Sequence, residues 1–318
     1  MDAYSQVPLW GRFETTITNE NDYTDPVRDV ELTATLTRPD GSTVSAWGFY
    51  DGGTTWKFRF MPDQVGGWSY IVEFSDGSGS SSGDFSVVAS TIPGRLSVLD
   101  RNKIWFGYPS GDHELIRSFH VGDRFFASNW DDPTDDSDGN PRDQFLDWFQ
   151  GQGYNTLSVA SFYLNRNVSG RGQGWDTPSL WPIIPGQFQQ LEVVLNDLAD
   201  RGILIYPFAG FFGRNSNFPT DTDDQRLYVR YLMARLGPYW NQLFNVTGPE
   251  SQGNLFNESQ INRLGEMIEA NNIYDHPLSV HEFPGRTVFR DCLLYTSPSP
   301  RDQRLNLVCR LLLEKGGG

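Results

Sequence analysis

The spacing of apolar residues changes once along the chain, near residue 92, and no other feature of the sequence constrains the fold as much. Before this point, short runs alternate between apolar and polar residues, as in Trp56-Lys57-Phe58-Arg59-Phe60. Such alternation gives a strand one apolar and one polar face, which is typical of antiparallel sheets. After it, stretches with apolar residues at helical spacing alternate with short, almost wholly apolar runs. The change predicts a multidomain chain, with an all-β domain followed by an α/β domain.

Residues 1–92 have the pattern of an immunoglobulin-like β-sandwich. Turn signals such as Pro39-Asp40-Gly41 separate the apolar runs, because Pro presets φ and Gly accepts positive φ. We interpret Gly77–Gly83 as a flexible hairpin tip, since a strand-like run follows it. The predicted strands are Leu9–Thr18, Val30–Thr37, Thr43–Phe49, Trp56–Met61, Trp68–Phe74 and Asp84–Val88.

Four rings of this domain allow two interpretations. If Trp47, Tyr50, Trp56 and Trp68 were exposed, they would offer stacking surfaces for a sugar. Their positions also suit the core between two sheets, where large aromatic side chains commonly lie. We expect the core.

From residue 93 to about residue 290, strands alternate strictly with helices. The predicted strands are Ser118–Ala127, Tyr154–Ala160, Ile203–Phe208, Gln242–Val246 and Pro277–His281. The predicted helices are Arg142–Gly151, Phe188–Asp200, Asp223–Leu236 and Ser259–Ala270. This order predicts a parallel sheet, either open and doubly wound or closed as a barrel.

The loops favour the barrel. The early strands are followed neither by a glycine-rich dinucleotide fingerprint nor by a Walker loop. Residues 161–185 and 209–222 instead form long loops rich in aromatic, Arg and Asn residues, and such loops make the active-site face of a barrel. A complete barrel takes roughly 250 residues. Residues 93–290 therefore predict a partial (β/α)8 TIM barrel without its last three units.

Composition limits the classes of molecule that this chain is expected to bind. The net charge of -15 argues against nucleic acid or anionic lipid, and no apolar run reaches the roughly 20 residues of a membrane helix. Aromatic residues make up 14% of the chain, which suits a carbohydrate substrate.

The N-terminus does not have the pattern of a signal peptide. Localisation and oligomeric state stay open, although a secreted or periplasmic parent protein would fit.

The last residues differ from the rest. Both cysteines, Cys292 and Cys309, lie there, so the rest of the chain offers no disulfide or thiolate metal site. Composition shifts abruptly near Asp291, and the sequence resembles a translated sequencing adaptor. We expect residues 291–318 to be a non-native or disordered tail; the alternative is a natural helix around Asp302–Glu314.

Glu250 is the strongest catalytic candidate, because it follows the fourth predicted strand of the barrel. A glycosidase needs two carboxyl groups across the scissile bond, one of them protonated. No convincing second carboxyl follows Val280, although Glu282 is near the end of the fifth strand. The alternative is that Glu250 caps a loop or pairs with Arg214.

At these residues the chain resembles the apiosidase-like glycoside hydrolases, which are retaining (β/α)8 barrels. The resemblance rests on Gly151–Thr156, Asn245–Glu250 and Asp275–His281, and Gly48–Gly52 with Trp56–Pro62 resembles the immunoglobulin-like module that often precedes such barrels. It implies that Glu250 is the acid/base and that the nucleophile comes from a seventh strand, which this chain does not contain. The family usually has Asn before the glutamate, whereas this chain has Pro249, so a contact to the sugar 2-hydroxyl is not carried over.

Further candidates surround the predicted barrel mouth. The predicted substrate-binding residues are Trp130, Tyr206, Arg214, Asn245 and His281. A metal site at His276 and His281 has no third ligand nearby, and a hydrogen-bonded structural histidine is the alternative. The acidic run Asp131–Asn140 departs from the EF-hand spacing and suits a solvated loop. We therefore expect no metal and no cofactor.

Two functions remain open. The first is the front part of a glycoside hydrolase that acts on a poly- or oligosaccharide, with this truncated chain itself inactive. The alternative is a non-catalytic carbohydrate-binding or cell-surface protein, in which the sandwich recognises the glycan.

Overall fold

The computed structural model describes residues 5–98, 105–121, 125–126, 141–159, 181–208, 210–212, 219–248 and 255–280. It has a β part, built from strands β1–β8, and an α/β part, built from strands β12–β16 and helices α2–α5. The predicted tail lies outside the described residues. The predicted domain boundary near residue 92 stays a prediction.

The β part has two sheets, one of five strands in the order β1-β8-β7-β3-β4 and one of three in the order β2-β6-β5. Neighbouring strands are antiparallel, except that β1 pairs with β8 in parallel. The elements are β1 Ser5–Pro8, β2 Phe13–Thr18, α1 Pro26–Asp29, β3 Leu32–Thr37, β4 Thr43–Trp47, β5 Phe49–Gly52, β6 Thr55–Phe60, β7 Gly66–Phe74 and β8 Ser80–Val88.

All six predicted strands of this part are present, with ends shifted by a few residues. The prediction missed β1, β5 and the short helix α1. It was also wrong about the hairpin tip, because Ser81 and Ser82 already pair with Val72 and Ile71 of β7. Serine has a low strand propensity, but pairing with the apolar strand β7 overrides it.

Two of the four rings lie in the expected core between the sheets, and the other two are only half-buried. Trp56 and Trp68 are 3% and 2% exposed, between the two sheets. Trp47 and Tyr50 are half-buried and pack against the core of the α/β part. Their aromatic surface therefore serves packing.

A small antiparallel sheet follows the β part in the chain. It consists of β9 Ser97–Val98, β10 Phe106–Gly107 and β11 His113–Glu114. Sequence analysis did not predict it, because strands of two residues leave no measurable periodicity.

The α/β part alternates strands and helices, as predicted. Its strands are β12 Ser118–His120, β13 Thr156–Val159, β14 Leu204–Pro207, β15 Phe244–Asn245 and β16 Leu278–Ser279. Its helices are α2 Arg142–Gly151, α3 Pro185–Asp200, α4 Thr222–Leu236 and α5 Glu258–Asn271. None of the helices in the described ranges is long and apolar enough to cross a membrane.

The five strands run parallel and in chain order. β13 pairs with β12 and β14, and β15 pairs with β16. A parallel bridge between Ile205 and Gln242 joins the two sets. The first strand was predicted to continue to Ala127, but it ends at His120. Phe125 and Phe126 are buried in the core that contains the helices.

A buried ion network joins the two parts. Arg59 of β6 donates through Nη2 to Glu192 Oε2 of α3 at 3.0 Å, and Arg235 Nη2 of α4 donates to the same oxygen at 3.1 Å. Arg235 also lies 2.7 Å from Asp51 Oδ1 of β5. Burial alone would raise the pKa of Glu192, but the hydrogen bonds from both arginines outweigh it and lower the pKa. The carboxylate therefore stays charged inside the interface.

Replacing Glu192 by Gln tests this network. We expect the free energy of unfolding to fall by about 3–5 kcal/mol, because two buried guanidinium groups lose the carboxylate that they share, which leaves Arg235 with Asp51 and Arg59 with the partly exposed Glu14. Urea unfolding measures the loss. The matched control is Glu14→Gln, which removes a carboxylate that pairs with Arg59 but is 31% exposed, so its loss should be clearly smaller. Equal losses in the two variants would contradict the role given to burial.

Candidate functional site

The five parallel strands turn one face to the helices and the other away from them. Residues on the helical face, such as Leu157, Ile205 and Phe244, belong to the same core as the helices. Alternate residues on the opposite face are polar where the strands end. We call this set the polar row, and it consists of His120, Ser158, Tyr206, Asn245 and Ser279.

Hydrogen bonds connect the polar row across the strands. The Ser279 hydroxyl lies 3.0 Å from Asn245 Oδ1 and 3.3 Å from the Tyr206 hydroxyl. At the other end, His120 Nδ1 lies 3.3 Å from Ser158 Oγ. Earlier on the same face, Leu204 and Leu243 are apolar and buried. Ser118 and Thr156, in register with Leu204, are also polar, but the side chains that hydrogen-bond to one another across the strands lie at the carboxyl ends, where α/β proteins bind their ligands.

Asn245 holds three strand ends together. It is fully buried, and its amide donates to the carbonyls of Phe208 and Thr247, after β14 and β15 respectively. Its Oδ1 accepts from Ser279 of β16, and its backbone carbonyl accepts from the Phe211 amide at 3.0 Å. This side chain therefore fixes where the loops of the site begin.

The loop after β14 passes directly over Asn245. Gly210 has a φ of +70°, and a Cβ at this position would lie 2.7 Å from the Asn245 carbonyl carbon and 2.9 Å from the Thr247 nitrogen. Both atoms belong to backbone and have little room to move. Only glycine fits this crossing without displacing one of the two loops.

Gly210→Ala should therefore be much more damaging than an ordinary substitution at positive φ. The matched control is Gly202→Ala, because Gly202 has a φ of +73° and a Cβ there meets nothing within 4 Å. We expect the control to lose about 1–2 kcal/mol of unfolding free energy from backbone strain, and Gly210→Ala to lose at least about 2 kcal/mol more from the clash. Thermal and urea unfolding of both variants measure the difference, and equal losses would contradict the close approach.

The structure brings together two of the predicted site residues. Tyr206 and Asn245 both belong to the polar row. The predicted residues Glu250, Trp130, Arg214 and His281 lie outside the described residues, and their roles stay predictions.

Sequence analysis missed three residues of the polar row, namely His120, Ser158 and Ser279. The signal for Ser279 was its place in the fifth predicted strand. His120 gave no such signal, because the first strand was predicted to continue to Ala127.

His276 is a buried structural residue. Its Nε2 donates to the Gly237 carbonyl at 2.7 Å, and burial lowers its pKa to about 4. This is the hydrogen-bonded alternative to a metal ligand. Within the described ranges, no group of three or more His, Cys, Asp or Glu side chains could hold a metal ion.

The lowered pKa of His276 predicts acid sensitivity. Because the folded state keeps this imidazole neutral, only the unfolded state takes up a proton as the pH falls below the ordinary pKa of 6.5. We expect the unfolding free energy to drop by about 3 kcal/mol between pH 6.5 and pH 4 from this residue. His276→Gln, which can still donate to Gly237, should remove that part of the slope. An unchanged slope in the variant, followed by urea unfolding across this pH range, would contradict the assignment.

Residues 6–75 match the family model DUF5060, described as a domain of unknown function. None of the curated proteins compared with the chain matches it. Among solved structures, a candidate glycoside hydrolase from Bacteroides vulgatus is similar over 89% of this chain, with a TM-score of 0.71 and 20% sequence identity.

The chain shares the fold of that protein. It covers 57% of that protein's length, little more than half. A glycoside hydrolase family 5 structure from the same organism is similar over 63% of this chain and 43% of that one, at 18% identity and a TM-score of 0.42. A β-glucuronidase from Parabacteroides merdae is similar over 85% of this chain and 31% of that one, at 12% identity and a TM-score of 0.36. The similarity at a TM-score of 0.71 shows that this chain has a sheet-rich, multidomain fold, and the other two similarities add nothing to this conclusion.

Proposed function

We propose that this chain is the front part of a glycoside hydrolase that acts on a poly- or oligosaccharide. In this proposal the β part is an immunoglobulin-like sandwich, and β12–β16 are the first five strands of a (β/α)8 barrel. The observation that carries the proposal is the polar row at the carboxyl ends of five parallel strands in chain order. That edge is the active-site face of barrel enzymes.

Glu250 is proposed as the general acid/base. It follows Gly248 by two residues, and the preceding Thr247 is fixed by a hydrogen bond from its hydroxyl to the Phe212 carbonyl. In a retaining mechanism a carboxylic acid protonates the leaving oxygen, and later, as a carboxylate, removes a proton from the attacking water. The firmly held end of β15 supports this role, because a proton donor must be placed within hydrogen-bond reach of the leaving group.

The nucleophile is proposed to come from a strand that this chain does not include. The retaining geometry places the two carboxyl groups about 5–5.5 Å apart, usually on different strands. The similar structure from Bacteroides vulgatus extends well beyond the part that this chain covers. We therefore expect no turnover from the 318 residues alone.

The packing of the β part favours the enzyme over the non-catalytic alternative. The four rings that would have served a sugar-binding sandwich are buried or half-buried.

The test uses the parent protein, which this proposal expects to include the remaining barrel strands. We expect Glu250→Gln to lower kcat for an unactivated oligosaccharide by about 10²–10⁴-fold, since the general acid is lost. An activated aryl glycoside, whose leaving group needs no proton, should lose much less. The control is Glu258→Gln, on the exposed first turn of α5, which should keep wild-type rates. Wild-type rates in Glu250→Gln would refute the proposal.

A further inference from the structure

We propose that His120 and Phe208, at the ends of β12 and β14, form a subsite for one neutral sugar ring. This inference rests on the proposed function, and it adds two residues that the sequence did not suggest. His120 is exposed, whereas its row neighbours Ser158 and Tyr206 are each 6% exposed. It is therefore the residue through which the described polar row reaches solvent most openly.

The hydrogen bond between Ser158 and His120 determines which imidazole nitrogen is left for a ligand. With Nδ1 at 3.3 Å from Ser158 Oγ, the opposite nitrogen, Nε2, has no protein partner among the described residues. If Ser158 donates to Nδ1, then Nε2 carries the hydrogen and donates; in the other tautomer it accepts. A sugar hydroxyl is both donor and acceptor, so it satisfies either tautomer. A carboxylate or an ammonium group would satisfy only one.

Phe208 supplies an apolar surface beside this nitrogen. Its ring lies edge-to-face with the His120 ring, with centroids 5.1 Å apart. Its backbone is held on both sides, since its amide donates to the Val159 carbonyl at 2.8 Å and its carbonyl accepts from Asn245. The ring is half-buried and held in place by this packing.

A sugar ring combines the two features that this pair offers. Its C–H face is apolar and packs on aromatic rings, while its edge carries hydroxyl groups. A hydrogen-bonding nitrogen beside an aromatic ring, both held by buried neighbours, is preorganised for such a ligand. The pair lies at the ends of the first and third strands of the α/β part, whereas Glu250 follows the fourth strand. His120 and Phe208 would therefore bind a sugar unit next to the one that reacts, and would not take part in the chemistry.

The test is a titration of this chain followed by NMR. The chain has only four histidines, His113, His120, His276 and His281, so the imidazole C–H signals can be assigned by single substitutions. The probes are methyl glycosides of glucose, galactose, xylose and arabinose, together with linear tetrasaccharides of glucose and xylose. We expect at least one probe to shift the His120 signal saturably and to leave the buried His276 unchanged.

Three variants distinguish a direct contact between His120 and the sugar from a role of His120 in packing alone. His120→Phe keeps a ring against Phe208 but loses the nitrogen, and we expect it to raise the Kd of the bound probe about fivefold or more, the value of one hydrogen bond. Ser158→Ala frees the imidazole and should weaken binding less. His113→Gln changes an exposed histidine on the small sheet and should leave the Kd unchanged. Urea unfolding confirms that each variant is folded.

The results distinguish a failure of the His120–Phe208 subsite from a failure of the proposed function. Saturable binding that leaves the His120 signal unmoved and survives His120→Phe overturns the subsite, whatever the role of Glu250. Absence of binding for every probe also overturns it. Binding at His120, combined with wild-type turnover in Glu250→Gln of the parent protein, supports the subsite and refutes the catalytic assignment.

Discussion

The contact on which the arrangement of this molecule depends is the buried carboxylate of Glu192 between two guanidinium groups. Arg59 comes from the β part, 133 residues away in the chain, and Arg235 comes from the next helix. Such a cluster contributes little net stability, because removing the charges from water is costly. It tolerates few alternative arrangements, however, since any displacement leaves a buried charge without a partner. We therefore interpret it as a contact that fixes orientation.

That orientation extends to the candidate site. Helix α3 carries Glu192 on its side toward the β part and packs Leu191, Leu195 and Leu198 into the core that contains the strands. Further polar contacts reinforce the interface, including the Tyr231 hydroxyl on the Tyr50 carbonyl and Gln189 on Asp51. The β part is thus attached to the outside of the helices, and its rings are used for packing. We therefore interpret the β part as a support for the α/β part and not as a glycan-binding module.

The sequence predicted the elements of this fold well and their connections less well. Helix α3 and strand β14 were predictable because their spacing matches a single local period, and the observed bounds differ by only a few residues. Phe125 and Phe126 show the limit, since apolar residues after His120 suit a longer strand as well as a buried turn. Pairing of Arg59 with Glu192 could not be predicted, because spacing carries no information about partners in different domains.

The same limit applies to the site. Tyr206 and Asn245 were predictable, because each lies where a strand ends. Their connection through Ser279 joins residues 73 and 34 positions apart, and only the register of β15 on β16 brings Ser279 opposite Asn245. His120 was missed because its significance depends on where β12 stops, and strand ends are the least predictable part of a sequence interpretation.

The polar row also explains how the strands fix the positions at which the loops begin. A fully buried Asn costs free energy unless its hydrogen-bonding groups are satisfied, and Asn245 satisfies them on the backbone of two neighbouring loops and on Ser279. Hydrogen bonds to backbone carbonyls do not depend on the loops' side chains. Asn245 and Gly210 therefore fix where the two loops begin through backbone contacts. A buried amide at this position does what an apolar residue of the same size could not, because packing alone would leave those carbonyls without donors.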